Sequence, residues 1–243
     1  MTRPAKQPGS PAAHRPLDEP RTARELRLAR AGRKRSAPKP AGNPLREGLR
    51  LERMPDPAIF VLFGGTGDLA HRKVVPALFQ LWRTNLLPHE LAIVAIGRRP
   101  YEDEVFRAEL RASVEQFGRV LPVEAEAWDD FASRIVYHRG DFADPALYDG
   151  LATRLDALDA ERGTQGNRLY YLAAQPSAFA AIIAGLGAVG LDHEHHGGGW
   201  RRIVIEKPFG RDLTSAIRLN REVGKVFRES QVYRIDHYLG KET

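Results

Sequence analysis

Three stretches of this 243-residue chain concentrate residue types able to do chemistry: Phe63-Gly64-Gly65-Thr66-Gly67-Asp68-Leu69-Ala70, Ile205-Glu206-Lys207-Pro208-Phe209-Gly210, and Asp236-His237-Tyr238-Leu239-Gly240-Lys241. The first follows directly on an apolar run at 58–62. A glycine-rich turn between strand and helix lets backbone N–H groups approach a phosphate with no Cβ in the way, and the helix N-terminus adds partial positive charge. The glycine loop alone is a weak signal: its G-x-x-G spacing occurs in ordinary turns, and on this reading the dinucleotide spacing G-x-G-x-x-G is not met. Its place after the first strand strengthens it. At the end of the next apolar run, 91–96, Gly97 is followed by Arg98 and Arg99. An NAD site carries a carboxylate there for the ribose 2′-OH, whereas a cation accommodates the 2′-phosphate of NADP. The arginines favour NADP, against the plainer reading of a solvated surface pair. Lys207 and the 236–241 cluster call for another ligand. His237 and Lys241 lie four apart at the start of a possible helix and can converge on one anion, with Tyr238 adding a hydroxyl. That set suits a phosphate monoester; the alternative is a solvated polar terminus.

Residues so far apart in sequence meet only if a scaffold brings them together. Short apolar runs predict strands at 58–63, 91–96, 134–138, 168–173, 201–205 and 231–235, and amphipathic segments predict helices at 101–117, 145–162, 177–187 and 212–228, the last capped by Asp212. Pro76 cannot sit in a helix interior without losing a hydrogen bond, so a short turn is expected at 68–73 and a helix from about Val75. This alternation implies an α/β fold, a doubly wound parallel sheet covered on both faces. The polar clusters, including Gly140-Asp141 and Gln175-Pro176-Ser177, then all open on the carboxyl edge of the sheet.

The 37 Lys/Arg and 31 Asp/Glu give a net charge of +6. Residues 1–54 hold 14 basic and 5 acidic residues, so the basic character belongs to that segment. Rich in Pro, Arg and Ala, it reads as a disordered basic extension, with residues 55–243 as the dinucleotide-binding domain. A basic arm can bind nucleic acid, and an Arg-rich start resembles a transit peptide, but a solvated extension is the simpler reading. No apolar stretch approaches the roughly 20 residues that span a bilayer, so a soluble, cytoplasmic protein with no membrane partner is expected. With no cysteine there is no thiol nucleophile or thiolate metal site. His193, His195 and His196 read as a loop rather than a metal site, and no metal is expected.

The glycine loop with Lys73 and Pro76, the Glu206-Lys207-Pro208 run, the block from Arg234 to Thr243, and Leu169-Tyr170-Tyr171-Leu172-Ala173 with Pro176, Ser177 and Phe179 resemble glucose-6-phosphate dehydrogenases. Gln175 stands where that family usually has a second proline. The inositol-dehydrogenase-like group shares a Glu-Lys-Pro but lacks the Asp-His-Tyr-Leu-Gly-Lys block. The resemblance implies a Rossmann-type domain and oxidation of D-glucose 6-phosphate to 6-phosphoglucono-1,5-lactone, the first step of the pentose phosphate pathway, with hydride passed to NADP. It implies that Gly64, Gly65, Thr66, Gly67, Asp68 and Leu69 cradle the coenzyme pyrophosphate and that Arg98 or Arg99 meets the 2′-phosphate. Tyr171 would lie towards the nicotinamide. Lys207 would touch sugar and coenzyme, preceding a proline the family often holds in cis. His237, Tyr238 and Lys241 would bind the sugar phosphate, and Asp236 would orient a base histidine. That histidine and the family's second domain, which carries its homo-oligomer interface, lie beyond the residues matched. The expectation is a coenzyme-domain fragment with little activity alone, or a non-catalytic NADP-binding remnant.

Overall fold

The computed structural model describes residues 54–119, 121–194, 198–210 and 212–235. The expected disorder of the basic extension, the 236–241 cluster, and His195 and His196 fall outside the described residues. Within them one sheet forms from β1 (Ala58–Phe63), β2 (Leu91–Gly97), β3 (Ile135–Arg139), β4 (Arg168–Leu172), β5 (Arg201–Glu206) and β6 (Val232–Ile235). The spatial order is β3-β2-β1-β4-β5-β6, and every neighbouring pair is parallel. The helices are α1 (Val75–Arg83), α2 (Asp103–Phe117), α3 (Ala125–Ala132), α4 (Pro145–Arg162), α5 (Pro176–Ala188) and α6 (Leu213–Val226). This is the doubly wound Rossmann-type order the alternation predicts.

Right-handed crossovers explain where each helix lies. The chain steps outward from β1 to β3 on one side, returns, and steps outward again from β4 to β6, so the two helix sets fall on opposite faces. Helices α1 to α3 pack on Phe60, Leu62, Ile93 and Ala95, and α4 to α6 on Ile59, Val61, Tyr170 and Ile203. Covered on both faces, β1 and β2 are buried at every position, which is why their sequences are unbroken apolar runs. Strands β4 and β5 alternate instead, because no described helix covers their second face. Leu169, Tyr171 and Val204 stay half-buried on that face.

Two local expectations need correction. Residues 68–73 are not a separate turn: the chain is helical from Asp68 onward, with a π turn at Ala70–Val74 in which the Val75 N–H donates to the Ala70 carbonyl. Pro76, within the first two positions of α1, has no N–H to give and its ring crowds the preceding turn. The wider π turn accommodates it without breaking the helix. Helix α3 was not expected, because eight residues give too few turns to show a period. It forms because Trp128 and Phe131 pack on Phe79 of α1, with ring centroids 5.6 and 5.5 Å away. Asp212 caps α6 as expected, accepting the Ser215 N–H at 2.7 Å.

Helices α4 and α5 meet where Gly185 faces Tyr148: a Cβ on Gly185 would sit 2.1 Å from a Tyr148 ring carbon. Tyr148 cannot retreat, since it is buried and its hydroxyl donates to the Phe142 carbonyl at 2.7 Å. Alanine in a helix interior normally gains about 0.5–1 kcal/mol over glycine, whereas overpacking costs about 1–3 kcal/mol. Gly185→Ala is therefore expected to lower the urea midpoint, followed by circular dichroism; a raised midpoint would contradict this packing.

Candidate functional site

Where the strand order reverses between β1 and β4, the connections leave in opposite directions and a crevice opens at the carboxyl ends. A cleft of about 850 Å³ lies there, lined by the glycine turn, Arg98, Asp141, Gln175 and Lys207. The turn is held by backbone bonds. Gly64 and Gly65 N–H both donate to the Ile96 carbonyl, at 3.0 and 2.8 Å, and Gly67 N–H returns to the Gly64 carbonyl at 2.9 Å. Gly64 sits at φ +90°, where an added Cβ would lie 2.6 Å from the Ala173 carbonyl oxygen. A Cβ on Gly65 would lie 2.7 Å from that of Ala95. The helix then starts at Asp68, and the His71 N–H, bonded to the Gly67 carbonyl at 3.1 Å, is its first i→i−4 donor. The N–H groups before it have no acceptor within the helix.

Of the residues singled out from sequence, Gly64, Thr66, Gly67, Asp68, Leu69, Arg98 and Lys207 line the cleft. Gly65 does not line it, because it packs on β2 beneath the turn. Arg99 points away: its Nη1 lies 3.4 Å from the Tyr101 hydroxyl, and its carbonyl accepts from the Tyr137 hydroxyl at 2.8 Å. Tyr171 lies on the sheet face that no described helix covers, stacked on Phe60 at 5.6 Å, with its hydroxyl donating to the Glu206 carboxylate. Burial and that carboxylate push the Tyr171 hydroxyl above the usual tyrosine range. Since Glu206 lines the cleft, Tyr171 reaches the site through it. The Lys207–Pro208 bond is cis. Asp236, His237, Tyr238 and Lys241 lie outside the described residues.

Sequence reasoning missed two features. Residues 65–70 satisfy G-x-G-x-x-A, the dinucleotide fingerprint with alanine at its third position. Ala70 is fully buried in the core between helix and sheet, the close packing that position serves. His71 belongs to no motif that would single it out in the sequence. Its Nδ1 lies 2.7 Å from the Ser113 hydroxyl, and its Nε2 lies 3.9 Å from Glu109. Burial lowers its pKa, outweighing the opposing pull of Glu109, and Arg99 lowers it further.

These residues fit a dinucleotide. Gly64 and Gly67 leave the mouth of the turn free of side chains, and a Cβ on Gly67 would crowd the Gly64 carbonyl at 3.1 Å. The first helical turn opens beside them, and one arginine stands at the end of β2. The family profile of the glucose-6-phosphate dehydrogenase NAD binding domain matches residues 61–243. The chain belongs to the glucose-6-phosphate dehydrogenase family. It is 42% identical over 198 residues to the glucose-6-phosphate 1-dehydrogenase of Chlamydia pneumoniae, covering 81% of this chain and 38% of that protein. With glucose-6-phosphate 1-dehydrogenase 2 of Mycobacterium bovis the identity is 43% over 203 residues, 83% of this chain and 39% of that one. A solved glucose-6-phosphate dehydrogenase in complex with its substrate glucose-6-phosphate superposes with a TM-score of 0.68 at 31% identity, over 78% of this chain and 38% of that chain. The chain thus spans under two fifths of the relatives it matches. The matched unit of the family is its nicotinamide-dinucleotide domain.

Two outcomes follow from the turn and its support. Gly64→Ala forces a φ that non-glycine residues rarely adopt and is expected to cost about 1–3 kcal/mol of unfolding free energy, measured by urea titration. The neutral His71 titrates lower in the folded chain than its ordinary 6.5. The unfolded chain therefore takes up this proton first as pH falls, and stability is lost below about pH 6.5. His71→Gln should flatten the decline in unfolding free energy between about pH 7 and 5; an unchanged slope would show that His71 does not carry it.

Proposed function

We propose that this chain binds NADP+ across the β1/β4 crevice and forms the coenzyme half of a dehydrogenase acting on glucose 6-phosphate. The observation that carries this reading is the convergence, in one cleft, of the glycine turn, Arg98 from the end of β2 and Lys207 from the end of β5. Each comes from a different strand: β1 and β2 are direct neighbours, and the reversal in strand order brings Lys207 to the same cleft from the other side. The solved relative that superposes on the chain is described as a complex with glucose-6-phosphate, which supports the same substrate here.

On this reading the N–H groups of the first helical turn, from Asp68 onward, receive the pyrophosphate, with Gly64 and Gly67 admitting it to backbone distance. Arg98, rather than Arg99, meets the 2′-phosphate, because only Arg98 lines the cleft. Lys207 stands between coenzyme and sugar and donates to the sugar's hydroxyls. When bound, the coenzyme would supply the hydride acceptor for oxidation at C1 of the sugar. His237, Tyr238 and Lys241 would hold the sugar phosphate, and Asp236 would steady a base. Removing the C1 hydroxyl proton needs that base, and general-base help is worth about 10²–10⁴ in rate. Among the described residues no histidine lines the cleft. The 243 residues by themselves are proposed to bind coenzyme with little turnover.

The coenzyme reading is tested by isothermal calorimetry on the purified chain. NADP+ is expected to bind, and Arg98→Ala should weaken it about tenfold or more while changing NAD+ binding little, since the lost contact is to the 2′-phosphate. Absence of heat with either coenzyme overturns the reading. In an assay following NADPH absorbance at saturating glucose 6-phosphate, turnover near that of full-length relatives would overturn the claim of low activity.

A further inference from the structure

We infer that Asp141 is a specificity-determining residue: its carboxylate, beside Arg98 at the rim of the cleft, holds down the preference for NADP over NAD. The inference rests on the coenzyme reading above and adds a residue from the turn after the third strand. Asp141 lines the cleft, and its Oδ2 lies 4.0 Å from Arg98 Nη1. Its place is fixed by the backbone. Gly140 N–H donates to the Gly97 carbonyl at 3.0 Å, tying the end of β3 to the end of β2, and Asp141 Oδ1 accepts the Ala143 N–H at 2.9 Å in the turn leading to α4. Arg98 and Asp141 are thus presented side by side by adjacent strands.

The sequence suggests two arginines for the 2′-phosphate, and the fold delivers one. Arg99 is drawn towards Tyr101, and Arg98 already has a carboxylate for company. The charged side chains lining the cleft are Asp68, Asp141 and Glu206 against Arg98 and Lys207, so they give no surplus of positive charge. Asp68 lies 3.6 Å from Arg72, and Glu206 accepts from Tyr171, leaving Asp141 as the carboxylate that faces Arg98.

A phosphate seated on Arg98 comes within a few ångströms of Asp141 and is repelled by it, while a ribose carrying a free 2′-hydroxyl is not. Both side chains are more than half exposed, so the repulsion acts through solvent and is partly screened by salt. Its expected size is about three- to tenfold in affinity for the phosphorylated coenzyme. Any contact Asp141 makes with parts common to both coenzymes cancels in the ratio of the two affinities.

Asp141→Asn removes the charge and keeps an Oδ1 to accept the Ala143 N–H, so the turn is retained. Calorimetry with NADP+ and NAD+ on the full chain, wild type and variant, gives the ratio directly. The expected result is a rise in the NADP/NAD affinity ratio of about three- to tenfold, shrinking as salt is raised from about 0.05 to 0.5 M. A ratio unchanged within about twofold, or one that rises independently of salt, overturns the inference. If Arg98→Ala discriminates between the coenzymes and Asp141→Asn does not, the role of Asp141 fails alone. If the wild-type chain binds neither coenzyme, both readings fall together.

Discussion

One carbonyl organises the carboxyl edge of this sheet. The Ile96 oxygen, at the end of β2, accepts the N–H groups of both Gly64 and Gly65, so the chain leaving β1 is bonded to its neighbour before it turns. Two successive donors can aim at one acceptor only if the backbone curls tightly, which places Gly64 at φ +90° and brings Gly65 against Ala95. A buried N–H left without that acceptor would cost about 1–3 kcal/mol. The curl then sets the direction of the first helix, and the helix start at Asp68 opens into the cleft. Gly97 belongs to the same arrangement, since a Cβ there would lie 2.9 Å from the Thr66 side chain.

The crossover helix stays attached to this turn by its own adjustment. The π turn lets the chain run from the glycine loop into α1 despite Pro76, while Ala70, Val74 and Val75 remain in the core. His71 braces the same segment against α2 through Ser113. Turn, π segment and α2 therefore form a connected support beneath the cleft, built from hydrogen bonds and close packing.

The cleft's electrostatics are unusual for a site proposed to receive a polyanion. Its lining carboxylates outnumber its lining cations, and the positive potential that remains comes from oriented backbone N–H groups at the helix start. Dipoles of this kind act at short range and need no counter-ion, so they can coexist with nearby carboxylates. On the proposed reading, recognition depends on how closely the phosphate reaches the backbone, which is what the glycines control. On the same reading, the arginine at the end of β2 adjusts selectivity on top of that.

Much of this was legible in the chain itself. The doubly wound parallel class follows from apolar runs of strand length alternating with amphipathic helices, because burial on both faces requires an unbroken apolar strand and burial on one requires alternation. The glycine turn and Lys207 could be recognised by residue type, and the clusters after β1 to β5 could be assigned to one edge. Helix α3 and the π turn could not, since the first depends on aromatic partners from α1 and the second on a compromise around Pro76. Nor could the sequence say which of two adjacent arginines enters the cleft. Side chains of successive residues leave the backbone in different directions, and the choice rests with Tyr101, two residues along the chain, and Tyr137, distant in sequence on β3, which hold the Arg99 segment away. The pairing of Arg98 with Asp141 is likewise tertiary. It exists because β2 and β3 end in register, and register is set by the packing of whole strands.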